Sequence, residues 1–468
     1  MTVVTVPGTT NDPPITLNSS AQSSSQLAQQ IGVLLQQIST TPGAGTNVTT
    51  TTGSVAPAPS GSAVQILQLL ASAAITVPTG YQVVYDTGTE NTTISGSNVS
   101  VLTGDGGVFI VNNSTVAGTT GNNTVAATGG FNISTGQGDA VVLANGAGTV
   151  STGIGTSILD LNATGGGDTV NSYGTDLIVA NSGSSSINAF GAGTGILGGS
   201  SGSITAGVTA NAVTVSAAGT DLTATVSGNN GVVFGGSGTT SLDLTGSNAT
   251  LAGGSGAETV DASGGTSSSG GAVMFAGTGP LNFVGGAGMA TIVGTTNGSE
   301  AVTVGAGGVV FSAGTTNNST ITANAGSGGS TIFGGAGSNV VYDTSTVGAG
   351  GAVFNAGAGN ETLNAGGSHT NNNFYVGAGA ETISGGSGSD WFVFYASHTA
   401  GATDIITDFH AGDALALIGY ASTQSAAGLL NSATVSGSTV TLALSDNTKI
   451  SFTNMTSTDP LKGSILNG

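Results

Sequence analysis

Cysteine is absent from this chain of 468 residues, which excludes disulfide bonds and thiolate metal sites. Basic residues are nearly absent as well: the only two are Lys449 and Lys462, against 22 acidic residues, and the formal net charge is -20. Binding of nucleic-acid phosphates or anionic lipid depends on clustered lysine and arginine side chains. Nucleic acid and anionic membrane surfaces are therefore excluded as partners.

Long apolar runs are also missing. No uninterrupted hydrophobic stretch reaches the roughly 20 residues that a membrane-spanning helix needs. Residues 1–20 lack the basic start and the apolar centre of a secretory signal peptide. We therefore expect a protein that does not span a membrane and that, if it is exported, uses a different signal.

The sequence is rich in glycine, with 84 residues, and in short apolar runs. Hydrophobic residues make up 38% of the chain and occur as brief runs of Val, Ile, Leu and Phe between Gly, Ser, Asn and Thr. Disordered chains are poor in such residues, whereas short strands separated by turns have this pattern. The composition predicts an all-β fold built from many short strands.

Glycine clusters recur through most of the chain. Four of them begin at Gly235, Gly253, Gly285 and Gly334, and their successive separations are 18, 32 and 49 residues. Each is followed by a segment that favours a strand. Repeats of this length are typical of solenoids, in which 18 residues can form one turn with two short strands. The longer separations indicate insertions or degenerate repeats.

The most specific motif combines Gly385, Gly386, Gly388 and Asp390 with the apolar Phe392. Glycine permits backbone conformations that other residues avoid, and aspartate supplies the oxygen ligands that calcium prefers. The motif resembles the nonapeptide repeat of the RTX (hemolysin-type) calcium-binding family. The resemblance implies a right-handed parallel β-roll or β-helix solenoid with Ca²⁺ between its loops.

The same resemblance implies an export route and a location. Members of the RTX family generally leave the cell through type I secretion machinery by means of an uncleaved C-terminal signal. In this sequence the signal is expected within residues 433–468. The protein is therefore expected outside the cell or at the cell surface.

The candidate calcium ligands lie at the sixth position of the repeat, in its glycines and just beyond it. They are Asn339, Glu361, Glu381, Gly385, Gly386, Gly388, Asp390, Asp404 and Asp408. For Asp404 and Asp408, and for Asp413 after them, calcium ligation and hydrogen bonding within a cap are both open. The sixth position is lost in central repeats, where Thr240 and Ala290 occupy it, so most of the solenoid is expected to be metal-free. Isolated acidic survivors in the first half are Asp139 and Asp168.

Three regions are predicted: 1–80, 81–394 and 395–468. The first is expected to hold a strand over Thr2–Val6 and helices over 25–39 and 62–74, joined by a loop over 40–60. The helices are predicted from helical spacing, as in Val64, Leu67 and Leu70. This region is interpreted either as a cap on the solenoid or as a docking element for another subunit or a cell-surface glycan.

The second and third regions are the degenerate solenoid and a β-rich C-terminal cap. Within the cap, residues 422–430 are predicted to form a short helix. Residues 439–444 and 449–452 are predicted to form a hairpin around a turn at Asp446 and Asn447. A cap is expected because the last turn of a solenoid would otherwise expose unpaired backbone groups.

Signals for catalysis are weak. The three histidines, His369, His398 and His410, form no zinc-protease motif, and the Gly-x-Ser-x-Gly match at 198–202 arises readily by chance in this composition. A site that cleaves polysaccharides usually adds basic residues to its carboxylates, and residues 81–394 contain none. Several isolated aspartates are interpreted as turn or loop residues: Asp160, Asp176, Asp221, Asp243 and Asp261. We therefore expect no enzymatic activity.

The expected function is that of a secreted, calcium-stabilised structural protein. It would assemble with itself as a subunit of a bacterial surface layer, an extracellular filament or a biofilm matrix. An adhesin or glycan-binding protein is the main alternative, because solenoid faces rich in Asn and Thr can hydrogen-bond to carbohydrate. A polysaccharide-processing β-helix enzyme is a further, less favoured alternative.

Overall fold

The computed structural model divides the chain into two compact units, Met1–Gly228 and Asn229–Gly468. Each unit is described by itself. The structure describes residues 2–6, 15–19, 46–52, 54–60, 64–69, 74–86, 92–103, 107–118, 121–265, 271–295, 299–314, 319–323, 329–337, 340–343, 351–421 and 424–468.

The described part of the first unit consists of strands. They are β1 (Thr2–Val6), β2 (Ile15–Ser19), β3 (Thr46–Thr51), β4 (Val64–Leu69), β5 (Ala74–Thr76), β6 (Val83–Asp86), β7 (Thr92–Ser97), β8 (Ser100–Thr103), β9 (Gly107–Ala117), β10 (Asn123–Ser134), β11 (Ala140–Ser151), β12 (Ser157–Ser172), β13 (Leu177–Ala189), β14 (Gly195–Gly198), β15 (Ser203–Val208), β16 (Thr214–Ser216) and β17 (Asp221–Val226).

The second unit continues with shorter strands and one described α-helix. They are β18 (Val232–Phe234), β19 (Thr240–Leu244), β20 (Thr250–Ala252), β21 (Glu258–Asp261), β22 (Val273–Phe275), β23 (Leu281–Val284), β24 (Ala290–Val293), β25 (Glu300–Val304), β26 (Val309–Ser312), β27 (Ser319–Ala323), β28 (Thr331–Phe333), β29 (Val340–Asp343), β30 (Val353–Asn355), β31 (Thr362–Asn364), β32 (Asn373–Tyr375), β33 (Thr382–Ser384), β34 (Trp391–Tyr395), β35 (Thr403–Ile406), β36 (Ala414–Ile418), α1 (Ala426–Ser432), β37 (Thr434–Ser436), β38 (Thr439–Ala443), β39 (Lys449–Thr453) and β40 (Ile465–Asn467), with a 3-10 helix at Asp459–Leu461.

Both units are parallel β-solenoids, which confirms the predicted fold class. In the first unit the long strands β9 to β13 pair in parallel with their sequence neighbours, and β13 then pairs with both β14 and β15. In the second unit each turn adds one strand to each of two sheets, so that β18 pairs with β20 and β19 pairs with β21. Equivalent residues of successive turns therefore stack in straight rows along the solenoid.

The core lies between the two sheets and is formed by alternating apolar residues. In β17, Leu222, Ala224 and Val226 are buried and their neighbours are exposed. In the second unit, larger side chains line the core side of the sheet that contains β30, β32 and β34: Phe354, Phe374 and Phe392 stack with ring centroids 5.0 and 5.2 Å apart. This spacing is close to the roughly 4.8 Å between paired strands, so each ring rests on the next.

Glycine is required where the loops of successive turns touch. A Cβ atom on Gly153 would lie 1.4 Å from the carbonyl oxygen of Gly136 in the preceding turn. No side chain fits at that distance. The loops can therefore stack as closely as the strands do.

The N-terminal region differs from the sequence prediction. Residues 64–69 form strand β4, paired in parallel with β3 and β6, so the helix predicted over 62–74 is wrong. The loop predicted over 40–60 contains strand β3, and the parallel ladder thus begins before residue 81. The apolar spacing in this segment fits either period, and pairing with two neighbouring strands decides between them. The helix predicted over 25–39 lies outside the described residues.

The first predicted strand is confirmed. Thr2–Val6 is extended, and it pairs antiparallel with Ile15–Ser19 of the same chain. A role of this region in docking to another subunit stays a prediction, as do the boundaries at residues 80 and 394.

The C-terminal cap contains the predicted hairpin and the predicted short helix. The hairpin is confirmed, because β38 and β39 pair antiparallel and Asn447 adopts a positive φ of 72° in the turn between them. The predicted helix is α1, displaced by a few residues, with the Ser425 hydroxyl accepting a hydrogen bond from the backbone N–H of Gly428. Strands β39 and β40 continue the two sheets by pairing in parallel with β35 and β36. The hairpin and β40 thus occupy the positions of a further turn.

Candidate functional site

The candidate ligands of the second unit lie in two rows inside the solenoid. Strand register places Glu361, Glu381 and Asp404 one above another, just before β31 and β33 and within β35. A second row contains Asn372, Asp390 and Asp413, at the start of the other sheet. All six side chains point inward, and none of these residues is more than 4% exposed. The predicted ligands are therefore brought together in two groups, whereas Asn339 lies outside the described residues.

In several of these side chains, one carboxyl oxygen accepts a hydrogen bond from a backbone N–H group of the preceding turn. Asp404 Oδ1 accepts a hydrogen bond from the Glu381 N–H at 3.0 Å, and Asp390 Oδ1 accepts one from the Asn372 N–H at 2.7 Å. Asp413 Oδ1 does the same for the Asp390 N–H at 3.0 Å. We call this series the inner ladder, formed by Asn372, Asp390, Asp404 and Asp413. It gives the acidic sixth position a structural role in holding turns together.

The remaining oxygens are less well satisfied. With the carboxyl groups ionised, both oxygens of Glu381, together with Oδ2 of Asp390 and Oδ2 of Asp404, are buried without a hydrogen-bond donor, whereas a protonated Glu381 can hydrogen-bond to the neighbouring carboxyls of Asp404 and Glu361. A buried carboxylate that lacks a partner is costly, so it needs either a proton or a cation. These atoms are where bound positive charge would have the largest effect.

The pKa values follow from this burial. Burial, and then the neighbouring carboxyls of Asp404 and Glu361, raise the pKa of Glu381 from 4.5 to about 10. Burial also raises the pKa of Asp390 to about 7, with a further contribution from Asp413. The pKa of Asp404 and that of Asp413 are raised by burial as well. Without a cation, part of this cluster therefore holds protons at neutral pH.

Asp408 behaves differently. Its carboxylate accepts hydrogen bonds from the backbone N–H groups of Gly385 at 2.8 Å and Gly386 at 2.9 Å, and from the Ser384 hydroxyl at 2.6 Å. Of the two interpretations left open by the sequence, hydrogen bonding within the cap is the one that the geometry favours for Asp408. The same holds for Asp413, since its second oxygen accepts a hydrogen bond from the His410 N–H at 2.8 Å.

The glycines of the motif make room for Asp390. A Cβ atom on Gly385 would lie 2.5 Å from Asp390 Oδ2, and Gly386 adopts a positive φ of 96°. The carbonyl oxygen of Gly386 lies 3.0 Å from His410 Nε2. The loop is thus shaped so that the unpartnered oxygen of Asp390 rests against its backbone.

The fit of this region to calcium is partial. Carboxylate and carbonyl oxygens are the ligands that calcium prefers, and unpartnered oxygens of Glu381, Asp390 and Asp404 match that requirement. Among the described residues, no three acidic or histidine side chains converge as a group that could hold a metal ion. Ligation would therefore depend on backbone carbonyls as well as these carboxylates, and calcium ligation by Asp408 stays a prediction.

Two buried asparagines show how a turn is closed without an ion. The Asn372 amide nitrogen donates to the carbonyl oxygens of Thr370 and Gly385, both at 3.1 Å. In the first unit, the Asn123 amide donates to Gly121 at 3.0 Å and to Thr135 at 2.8 Å in the same pattern. This role of asparagine was not predicted from the sequence, although asparagine at the sixth position of the repeat was the available signal for it.

Acidic residues in central turns were also missed. Glu258 and Glu300 lie in register with each other through Leu281, and both are buried. Glu258 accepts a hydrogen bond from the Gly254 N–H at 2.5 Å, and Glu300 accepts one from the Thr295 N–H. Their position just before a strand was the available signal.

Isolated aspartates of the first unit have distinct environments. Asp139 is exposed and accepts a hydrogen bond from the Thr156 N–H at 2.7 Å, whereas Asp168 is buried, with one oxygen on the Gly148 N–H at 3.2 Å. Burial raises the pKa of Asp168 to about 6. Asp176 accepts hydrogen bonds from the hydroxyl groups of Thr152 and Ser172, so its role in the loop is structural.

The three histidines have different neighbours. His369 Nδ1 lies 2.5 Å from the Ser387 hydroxyl, His398 contacts Tyr395, and His410 lies beside Asp413. Residues 198–202 lead from β14 directly into β15. The absence of enzymatic activity stays a prediction.

No protein-family profile matches this chain, and neither a curated protein nor a solved structure matches it. The resemblance to RTX repeats therefore rests on the sequence motif. None of the helices in the described ranges combines the length and apolar character needed to cross a bilayer.

Proposed function

We propose that this chain is a secreted, calcium-stabilised structural protein that assembles with itself in a bacterial surface layer, extracellular filament or biofilm matrix. The observation that carries the proposal is the set of buried, unpartnered carboxyl oxygens in the RTX-like turns, on Glu381, Asp390 and Asp404. Bound calcium would supply positive charge and coordination sites for these oxygens. The chain itself provides their positions through strand register and the inner ladder.

Export and calcium are linked in this proposal. Carboxylates on neighbouring turns repel one another without a counter-ion, so the RTX-like end is less stable where calcium is scarce. Extracellular calcium modules commonly have dissociation constants of about 10⁻⁴–10⁻³ M, which matches calcium levels outside the cell. A chain that becomes fully stable only after export stays easier to thread through type I secretion machinery.

A structural role is supported by the regularity of the solenoid. Successive turns bury the same rows of apolar residues, and the two basic residues both lie in the C-terminal cap. The outer side of each sheet offers repeated rows of side chains for contact with further copies. Self-association is thus the partner interaction that we propose.

The first test measures thermal unfolding of the full chain with about 0.01 to 10 mM calcium chloride. A site with a dissociation constant of about 0.1 mM would add about 2.7 kcal/mol at 10 mM calcium. The variants Glu381→Gln and Asp390→Asn should show a smaller calcium effect than Asp261→Asn, which changes an exposed acid. Equal stability with calcium, magnesium and chelator would overturn the calcium assignment.

The second test images the protein by negative-stain electron microscopy with and without calcium. Fibres or lattices are expected for a structural subunit. Single particles at every protein and calcium concentration would contradict the structural role.

An adhesin remains the second candidate because one sheet of the second unit is polar on its outer surface. Exposed Asp243, Thr259, Asp261 and Asn282 lie on strands β19, β21 and β23. Side chains of this kind can hydrogen-bond to carbohydrate hydroxyls. Binding to an immobilised glycan without assembly would favour this function over the first.

A further inference from the structure

The other sheet of the second unit has an apolar outer surface. Strands β18 to β32 of this sheet share one outward row of side chains that contains Phe234, Phe275, Val293, Phe333 and the half-buried Tyr375. In β34 the row ends at the buried Val393. Trp391 lies in the neighbouring row, paired with Asn373. We call these six residues the apolar face. Phe275 is 51% exposed and Trp391 47%, although both are large apolar side chains.

The apolar face carries no charge. None of the nine strands of this sheet from β18 to β34 contains an acidic or basic residue. The opposite sheet exposes Asp243 and Asp261, which are directly paired across β19 and β21. In a chain with a net charge of -20, this sheet offers a surface through which two copies can meet without opposing carboxylates.

The shape of the row is suited to contact with an identical row. The bulky Phe234 and Phe275 are separated by the small Ala252, and Ser312 lies between Val293 and Phe333. Packed sheets interdigitate their facing side chains about 10 Å apart. Two copies displaced by one strand would place Phe234 of one opposite Ala252 of the other and Ser312 opposite Phe333, whereas Phe275 would meet Val293.

The size of the face predicts the strength of the contact. Nine strands spaced by about 4.8 Å and about 10 Å wide give roughly 400 Å² on each copy. Exposed apolar patches of a few hundred Å² are commonly functional, but a standard interface buries about 800 Å² on each partner. A single pair is therefore expected to be weak, and repetition in an assembly would add to it.

We infer that the apolar face is a self-association surface, and that its occupant is the apolar face of a second copy of this chain. The inference rests on the proposed structural function and names the surface through which assembly takes place. Four of the six side chains offer no hydrogen-bonding group, whereas Tyr375 and Trp391 do, so binding of a polysaccharide is the competing outcome of the test.

The test compares wild-type chain with the double variant Phe275→Asp/Phe333→Asp by sedimentation velocity in calcium at micromolar to submillimolar protein concentration. The matched control is Thr259→Asp/Asn282→Asp, which adds the same charge to the polar sheet at exposed positions. Self-association of the face variant should be at least tenfold weaker, and that of the control within about twofold of wild type. Thermal unfolding verifies that both variants are folded, and Phe275→Leu/Phe333→Leu should retain association.

The outcomes separate this inference from the proposed function. If the face variant assembles as well as wild type, the structural function stands and the apolar face is not its surface. A wild-type chain that stays monomeric throughout overturns both. Loss of binding to insoluble polysaccharide in the face variant, with unchanged self-association, would identify a glycan as the occupant and also overturn the inference. An absent calcium effect with face-dependent association would overturn only the calcium assignment.

Discussion

Buried carboxyl groups and buried amides solve the same local problem in different ways. At the sixth position of the repeat, Asp390 offers only acceptors when ionised, and one of its oxygens has no partner. Asn372 in the turn before it offers an N–H group that reaches two carbonyl oxygens. The choice between acid and amide therefore decides whether a turn depends on a proton or cation.

The first prediction concerns pH. The folded-state pKa of Glu381 is raised from 4.5 to about 10, and that of Asp390 from 3.8 to about 7. A raised pKa means that the folded protein binds more protons, so their contribution to stability is present at low pH and is lost as pH rises through these values. Without calcium, the melting temperature should thus rise as the pH is lowered from 8 to 5.

The variant Glu381→Gln tests this assignment. It should flatten the pH dependence above pH 5, whereas Asp261→Asn should leave it unchanged because that side chain is exposed. Thermal unfolding followed by circular dichroism in chelator gives the comparison. A melting temperature that falls steadily from pH 8 to pH 5 in the wild-type chain would contradict the prediction.

The second prediction concerns Asn372→Asp. The change removes the amide donor to Thr370 and Gly385 and places a second carboxyl beside Asp390, so we expect a loss of about 1–3 kcal/mol in calcium-free buffer. Calcium should restore part of the loss. The neighbouring Asn371→Asp, at an exposed position, is the control and should change the free energy of unfolding by less than about 0.5 kcal/mol. Equal urea midpoints for the two variants would count against this role of Asn372.

At the scale of single elements, three stacked phenylalanines pack in the core of the second unit. Phe374 is fully buried between Phe354 and Phe392. Phe374→Ala should therefore cost about 3–5 kcal/mol, and Phe374→Leu clearly less. Urea unfolding measures both against Thr382→Ala, an exposed position in the opposite sheet that should be nearly neutral. A cost below about 1 kcal/mol for the alanine variant would show that the stack contributes little.

Some secondary-structure elements could be predicted from the sequence and others could not. Short strands and the terminal hairpin were predictable because turn residues separate apolar runs at regular distances. Strand β4 was not predictable, and a helix was predicted over 62–74 in its place. Leu67 and Leu69 are compatible with a strand that pairs with two neighbouring strands, and such pairing partners are not visible in local spacing. The acidic positions of the repeat are visible in the sequence, and their role as calcium ligands stays a prediction. These side chains point inward and accept hydrogen bonds from the backbone of another turn. Both features depend on strand register, which could not be deduced from the sequence.

At the scale of the molecule, the large negative net charge governs the long-range interaction between copies. Of the two lysines, Lys462 pairs with Asp459 at 2.6 Å, so little positive charge opposes the 22 acidic residues. Copies that meet through an uncharged surface still repel one another at longer range. Raising sodium chloride from about 10 mM to about 1 M shortens the screening length from about 30 Å to about 3 Å.

Self-association should accordingly strengthen with salt at fixed calcium. Sedimentation velocity at several salt concentrations measures the change, and the Phe275→Asp/Phe333→Asp variant provides the control in which association is weak throughout. An interface held by ion pairs would respond in the opposite direction. Weaker association at high salt would therefore contradict an apolar contact between like-charged copies.

The inner ladder has a consequence for how such a gene can change. Each rung joins a side chain of one turn to the backbone of the turn before it, as Asp390 does with Asn372 and Asp413 with Asp390, so these turns repeat the same connection. Duplication or loss of one complete turn leaves all of these connections intact, whereas an insertion of half a turn would break them. The length of the protein can therefore evolve in whole steps, with its two ends unchanged.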